Sequence, residues 1–226
     1  MHIPDIKSSE WVVYLDDDVS LPADWLKLLG GAVSAYPSAG VWGCRVVDDQ
    51  APHILQSVDY HLKPARHEDH GQGATVSISD LHFTTTDQGQ FSYLRPCLHV
   101  TGCCHLFSTP KLLECGDFDL RFSPSQFDDL DRDIRSGLKG LPAIYQGHLS
   151  VRHMMHSGKL SRKNPDQIGA MLGNRYKLQH KYTGEEFEGL AEWEAALLEK
   201  DLLAKIDRMD QAEIRPLEKK ECASNI

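Results

Sequence analysis

The sequence predicts an α/β fold, and three observations carry the prediction. Residues 11–15, Trp-Val-Val-Tyr-Leu, form an apolar, β-branched run that is too short for a helix and reads as a buried strand. Trp25, Leu28, Leu29, Ala32, Val33 and Tyr36 then recur at helical spacing and give one apolar face. Residues 41–47 return to a strand pattern. Strand, covering helix and strand in succession make the unit from which α/β sheets are built.

The first strand ends in Asp16, Asp17 and Asp18. In such sheets ligands sit beyond the carboxyl ends of the strands, which is where these acids would stand. Three like charges repel one another, and a bound divalent cation would relieve the repulsion. Clustered carboxylate oxygens suit Mg²⁺ or Mn²⁺ better than Zn²⁺. A solvated acidic turn would use the same residues, because Asp is common in turns. The stretch alone leaves both readings open.

Composition narrows the classes. A chain of 226 residues suffices for one full-sized domain with an appendage. Its net charge of −9 argues against nucleic acid or an anionic membrane surface as the main partner. There is no apolar run of membrane-spanning length and no signal-peptide pattern. Cys44, Cys97, Cys103, Cys104, Cys115 and Cys222 show no disulfide-framework spacing, so a reducing, cytoplasmic setting is expected.

Taken in order, Pro22 suits the first turn of the first helix and Asp24 its positive end. That helix should stop near Pro37–Gly40. Residues 48–95 are polar and irregular, with short strand candidates at Thr75–Ile78 and Phe91–Leu94. Leu98–Phe107 reads as a strand interrupted by Gly102, where a backbone or ligand can approach closely. The Cys and His residues of that run lack Cys-x-x-Cys spacing, and adjacent cysteines on a strand point to opposite faces, so buried thiols are favoured over zinc. Ser125 and Asp128 have the form of a capping box for a helix from about Gln126 to Gly140. Phe127, Leu130, Ile134 and Leu138 supply its apolar face, Asp128 and Asp129 fall in its first turn, and Asp131 and Arg135 can pair at i,i+4. Leu141–Tyr145 and Leu149–His153 read as two further strands, the second running into Arg152, His153 and His156. Residues 159–181 are basic, with Lys159, Arg162, Lys163, Arg175, Lys177 and Lys181. Residues 185–220 are charged and helical, with Phe187, Leu190, Trp193, Leu197 and Leu198 on one face.

Four stretches together resemble the catalytic region of a family two glycosyltransferase. Val-Tyr-Leu-Asp-Asp-Asp-Val-Ser-Leu-Pro-Ala-Asp-Trp-Leu (13–26) is similar to the family's Asp-x-Asp strand and following helix. Thr-Gly-Cys-Cys-His-Leu-Phe (101–107) is placed like its glycine-containing strand beside the sugar. Gly-Asp-Phe-Asp-Leu-Arg-Phe (116–122) with Phe-Asp-Asp-Leu-Asp-Arg-Asp-Ile-Arg (127–135) resembles its Gly-Gly-Phe-Asp-Glu and Glu-Asp-x-Asp-x-x-x-Arg, with Asp128 in place of the usual Glu. The fourth is a strand ending in His153.

The resemblance implies a GT-A type (Rossmann-like) mixed sheet flanked by helices, as a partial catalytic domain over residues 1–160 with a helical C-terminal extension over 161–226. Only 15 residues precede Asp16, where family members have two or more strands, so the sheet is expected to be N-terminally truncated. The implied reaction moves a hexosyl group from a nucleotide-sugar to an acceptor hydroxyl with inversion. Asp16, Asp18 and His153 would hold Mn²⁺ or Mg²⁺; Asp16, Asp17, Gly102 and Arg152 would contact the donor. Asp129 would act as general base, supported by Asp128, with Asp128, Asp131 and partial burial tuning it. The acceptor would be a glycan, a lipid-linked group or a protein, selected by loops such as 48–95, and the C-terminal helix offers a surface for self-association. Two alternatives stand beside this reading: a non-catalytic remnant or partner-binding module of the same fold, and a glycoside hydrolase using two carboxylates.

Overall fold

The structure, a computed structural model, describes residues 8–65, 75–78, 85–123, 126–154 and 165–213. Among these residues the strands are β1 (Trp11–Leu15), β2 (Val19–Ser20), β3 (Val41–Asp48), β4 (Leu55–Ser57), β5 (Leu62–Ala65), β6 (Thr75–Ile78), β7 (Leu94–Cys97), β8 (Cys104–Ser108) and β9 (Ala143–His153). The helices are α1 (Trp25–Ala35), α2 (Thr109–Cys115), α3 (Asp128–Gly137), α4 (Pro165–Lys181) and α5 (Gly184–Glu213). Seven strands form one mixed sheet in the order β1, β8, β3, β9, β2, with β4 added to β3 and β7 to β9. β3 and β9 run parallel, the other pairs of this sheet antiparallel, and β5 and β6 form a separate antiparallel pair. The fold is therefore mixed α/β.

Strand alternation divides the core. Trp42, Cys44 and Val46 of β3 point towards α1, where Leu29 and Ala32 are buried against them. Val41 and Val47 point to the other face and join Phe107, Leu112 and Tyr145. A third cluster, Leu130, Ile134, Leu178, Phe187 and Leu190, ties α3 to α4 and α5. The apolar face expected of the first helix packs as its spacing predicts, but α1 begins at Trp25. Pro22 precedes it in a turn whose carbonyl accepts from the Trp25 N–H (3.1 Å), and Asp24, at the N-cap, makes no side-chain cap bond.

The expected strand pair at 141–145 and 149–153 is a single strand, β9. Its register on β3 jumps between Cys44↔Gln146 and Arg45↔Ser150, so Gly147, His148 and Leu149 bulge out. Gly147 is where the bulge meets the β7 side: its N–H donates to the Tyr93 carbonyl (2.8 Å), and an added Cβ would stand 2.0 Å from the Phe91 carbonyl oxygen. Gly147→Ala should therefore destabilise the protein by about 1–3 kcal/mol, the usual cost of overpacking, which a urea unfolding midpoint would report. The candidate strand at Phe91–Leu94 is displaced to β7, and Leu98–Cys103 is irregular, with β8 starting only at Cys104. The α2 helix follows directly from β8; nothing in the sequence reading anticipated it.

α5 starts at a reciprocal capping box that the sequence reading passed over. The Glu186 N–H donates to Thr183 Oγ1 (3.1 Å) and the Thr183 N–H to Glu186 Oε2 (2.7 Å). At about 1.5 Å per residue this 30-residue helix is roughly 45 Å long. Phe187 and Leu190 are buried, whereas Trp193, Leu197 and Leu198 are only partly covered. None of the helices among the described residues is long and apolar enough to cross a membrane.

A polar network docks α5 on the sheet side. His61 Nδ1 lies 2.9 Å from Glu194 Oε1, and its Nε2 lies 3.0 Å from Asp59 Oδ2. Arg95 and Tyr93 also bind Asp59 (2.5 and 2.8 Å). Burial opposes a charge on His61, but hydrogen bonds to Asp59 and Glu194 outweigh it and push its pKa from 6.5 to about 9. Burial likewise opposes ionisation of Asp59, yet His61 and Arg95 bring it from 3.8 down to about 2. The His61 contribution is thus fully present below pH 6.5 and is lost as pH rises through 9. The Asp59 contribution is present above pH 3.8 and is lost as pH falls through 2. Thermal unfolding midpoints should therefore decline across pH 6.5–9, and His61→Gln should flatten that decline. An unchanged slope in the variant would disprove the assignment.

Candidate active site

Asp16 of the first acidic cluster and Asp128 and Asp129 of the second line one cavity of about 900 Å³, within the size range of small-molecule sites. One turn connects them. β1 pairs with β8 in register to Leu15↔Cys104, so the next residue, Asp16, donates its N–H to the Cys103 carbonyl (3.1 Å). The neighbouring residue, Gly102, donates its N–H to Asp129 Oδ2 (3.0 Å). A Cβ on Gly102 would lie 3.0 Å from that oxygen, so the close approach expected at this glycine is to Asp129 itself.

After the acidic turn, β2 runs along the end of β9, with Val19 opposite His153, and the Met154 N–H donates to the Asp18 carbonyl (3.0 Å). This pairing carries Asp18 Oδ1 to 3.2 Å and Asp16 Oδ2 to 3.9 Å from His153 Nε2. Ligand atoms of Asp16, Asp18 and His153 all lie within 4.8 Å of one another, and no other group of this kind occurs among the described residues. Burial raises the pKa of Asp16; His153 opposes the shift, while Asp18 and Asp129 add to it.

Gln56, absent from the sequence reading, orients the histidine. Its Nε2 donates to the His153 carbonyl (2.9 Å) and to Asp48 Oδ2 (3.3 Å). Its Oε1 is thereby turned to His153 Nδ1 (2.8 Å). Nδ1 must then carry a proton, leaving Nε2 as the nitrogen that faces the two carboxylates, in the manner of supported metal-binding histidines. The donor set of two carboxylates and one imidazole fits Mn²⁺ or Mg²⁺ with positions left for water or phosphate.

Asp128 and Asp129 open α3, but not through the expected capping box. Ser125 lies outside the described residues, and the N-cap position is held by Phe127, which makes no side-chain cap bond. Gln126 and Phe127 both have positive φ, 80° and 71°, uncommon for residues with a Cβ. This left-handed pair turns the chain sharply, so that the first helical turn aims both carboxylates into the cavity. Asp129 Oδ1 accepts from the Leu130 N–H (2.8 Å), complementing the Gly102 bond to Oδ2. Burial raises the pKa of Asp128, and Asp129 adds to the shift.

Other residues singled out by the sequence take different positions. Asp131 is on the far side of α3, fully buried and bound to Arg135 (3.1 Å), Lys181 (2.6 Å) and the Tyr182 hydroxyl (2.7 Å), where it holds helices together. Arg152 alternates away from His153, is half exposed and stands 3.8 Å from Asp49, outside the cavity lining. Asp17 is exposed in the turn and also outside the lining. Lys159, Arg162, Lys163 and His156 lie outside the described residues; the cation that α4 brings to the cavity is Arg175. Cys44, Cys97, Cys103, Cys104 and Cys115 are buried free thiols.

The chain matches no model of a known protein family and no curated protein.

Proposed function

We propose that this chain is the catalytic region of a metal-assisted, inverting glycosyltransferase of the GT-A fold and family two type. The observation that carries the reading is the Asp16–Asp18–His153 group, two of whose members, Asp16 and His153, line the same cavity as Asp128 and Asp129. A divalent cation on the first group would supply Lewis-acid stabilisation to a leaving nucleoside diphosphate. Asp129, on the other side of the Gly102–Cys103 turn, would accept the proton of the acceptor hydroxyl as that oxygen attacks the anomeric carbon. Asp16 and Gly102 would lie along the donor. Gln56 would keep His153 in the ligating tautomer, and Arg175 would offer a charge to phosphate. Leu202, Leu203, Ile206 and Met209, exposed along the end of α5, support self-association there.

A two-carboxylate hydrolase needs no metal, so a histidine clamped to face two aspartates favours the transferase. The test is calorimetric titration with UDP-, GDP- and dTDP-sugars, with and without Mn²⁺. Binding of one nucleotide class only when Mn²⁺ is present supports the reading. A folded protein that binds none of them would overturn it in favour of a non-catalytic module.

A further inference from the structure

Behind Asp129 lies a buried pair that the mechanism above does not use. The Asp133 carboxylate is completely buried, and one of its oxygens, Oδ2, lies 2.7 Å from His99 Nδ1 and 3.4 Å from the Val100 nitrogen, whose N–H donates to it. A carboxylate so placed is costly unless paired, and His99 is its side-chain hydrogen-bond partner. With Nδ1 committed to Asp133, the other ring nitrogen is directed to the cavity: His99 Nε2 is 3.8 Å from Asp129 Oδ2. The Tyr60 ring covers the imidazole at 5.1 Å between centroids, tilted by 37°. Backbone bonds between residues 60 and 99 hold the two segments together, including Tyr60 N–H to the His99 carbonyl at 3.0 Å. The imidazole is thus bound at one end, covered on one face and aimed at one carboxylate.

We propose that His99, anchored by Asp133, is a positioning residue for Asp129: it fixes the carboxylate's orientation together with Gly102. The proposal rests on the glycosyl-transfer reading of the site for its purpose, though the coupling of the three side chains does not. The groups facing His99 are Asp128, Asp129 and Asp133 from α3, with Arg132 beside them on the same helix, Tyr60 from the segment before β5, and Arg175 on the cavity wall from α4. Burial alone would disfavour the imidazolium, but the Asp133 bond and the Asp129 and Asp128 charges outweigh it and raise the pKa of His99. An imidazolium facing a carboxylate favours its ionised, proton-accepting form. During transfer the acceptor oxygen bonds to the anomeric carbon as the bond to the diphosphate breaks. The acceptor's proton goes to Asp129, and His99 keeps its own.

The experiment follows the His99 ring by long-range ¹H–¹⁵N NMR against pH in the full chain, without donor or acceptor, for the parent protein, Asp129→Asn and Asp133→Asn. The expected result is a His99 titration midpoint that falls in both variants. A midpoint unmoved by Asp129→Asn overturns the coupling; Asp129 borders the cavity, so this variant keeps the test available even if Asp133→Asn does not fold. With the donor and acceptor that support transfer, Asp133→Asn should lower kcat about tenfold or more, the scale of a misplaced reacting group, with the donor KM nearly unchanged and the acidic limb of the rate profile moved to higher pH. Unchanged kcat and pH profile in that variant overturn the positioning role. Coupling by NMR in a protein that transfers no sugar would instead overturn the proposed function and leave the Asp133–His99–Asp129 unit established.

Discussion

Asp18→Ala is expected to abolish Mn²⁺-dependent binding of a nucleotide-sugar while leaving the fold intact. Asp18 is the carboxylate nearest to His153 Nε2, at 3.2 Å, and it stands at the start of the β2–β9 pairing, where its backbone carbonyl accepts from the Met154 N–H. Removing the carboxylate deletes one of three ligands to a hard cation. Loss of a supporting group around such a metal already costs about 10–100-fold in affinity, so loss of a direct ligand should exceed about 100-fold. Calorimetric titration with Mn²⁺ and the preferred nucleotide-sugar would show the effect, with the thermal midpoint as the control for folding. Asp17→Ala provides the contrast, because Asp17 is exposed in the turn and is not a member of the Asp16–Asp18–His153 group. Equal loss of binding in both variants, or in neither, would refute the Asp16–Asp18–His153 assignment.

Asp129→Asn should lower the transfer rate by about 10²–10⁴-fold, the usual worth of a positioned general base, with donor affinity retained. The amide cannot take the acceptor's proton. It also loses one backbone bond, because its NH₂ group must face either the Gly102 or the Leu130 N–H where a carboxylate oxygen accepts from each. That loss is about 1 kcal/mol of stability, small beside the kinetic effect. Asp131→Asn should show the opposite division. Its carboxylate is buried between Arg135 and Lys181, and breaking such a buried pair costs about 3–5 kcal/mol. The urea midpoint should fall strongly while the turnover of the remaining folded protein stays near the parent's. A rate collapse in Asp131→Asn at unchanged stability would overturn the separation of roles along α3.

The legible features of this chain were those governed by neighbours in sequence. The α1 face from Trp25 to Tyr36 follows from helical spacing, and a strand meeting the acids at Asp16–Asp18 follows from the apolar run before them. β1 lies at the end of the sheet order, however, and is only partly covered, not buried as expected. The acidic start of α3 and the Asp131–Arg135 pair are likewise local, one turn apart. The Thr183–Glu186 capping box was equally local, and its signal, Thr followed three residues later by Glu, was available in the letters.

For the 141–153 segment and for Asp131, the deciding partner is supplied from elsewhere in the chain. Leu141–Tyr145 and Leu149–His153 look like separate strands because Gly147 and His148 interrupt the pattern; only the parallel alignment on β3 makes them one strand around a bulge. Asp131 has the same letters around it as Asp129, but the two differ by which side of α3 meets Lys181 and Tyr182.

By itself, then, the sequence determined the α/β character, the principal helices and the two clusters of carboxylates, because hydrophobic period and charge adjacency act over a few residues. Only the tertiary structure decided which carboxylates share a cavity, that Gln56 sets the tautomer of a histidine 97 residues away, and that His99 stands between Asp133 and Asp129. Those relations depend on strand order and on which face of a helix turns inwards. Both are outcomes of the whole chain burying its apolar surface at once, and no local stretch encodes them.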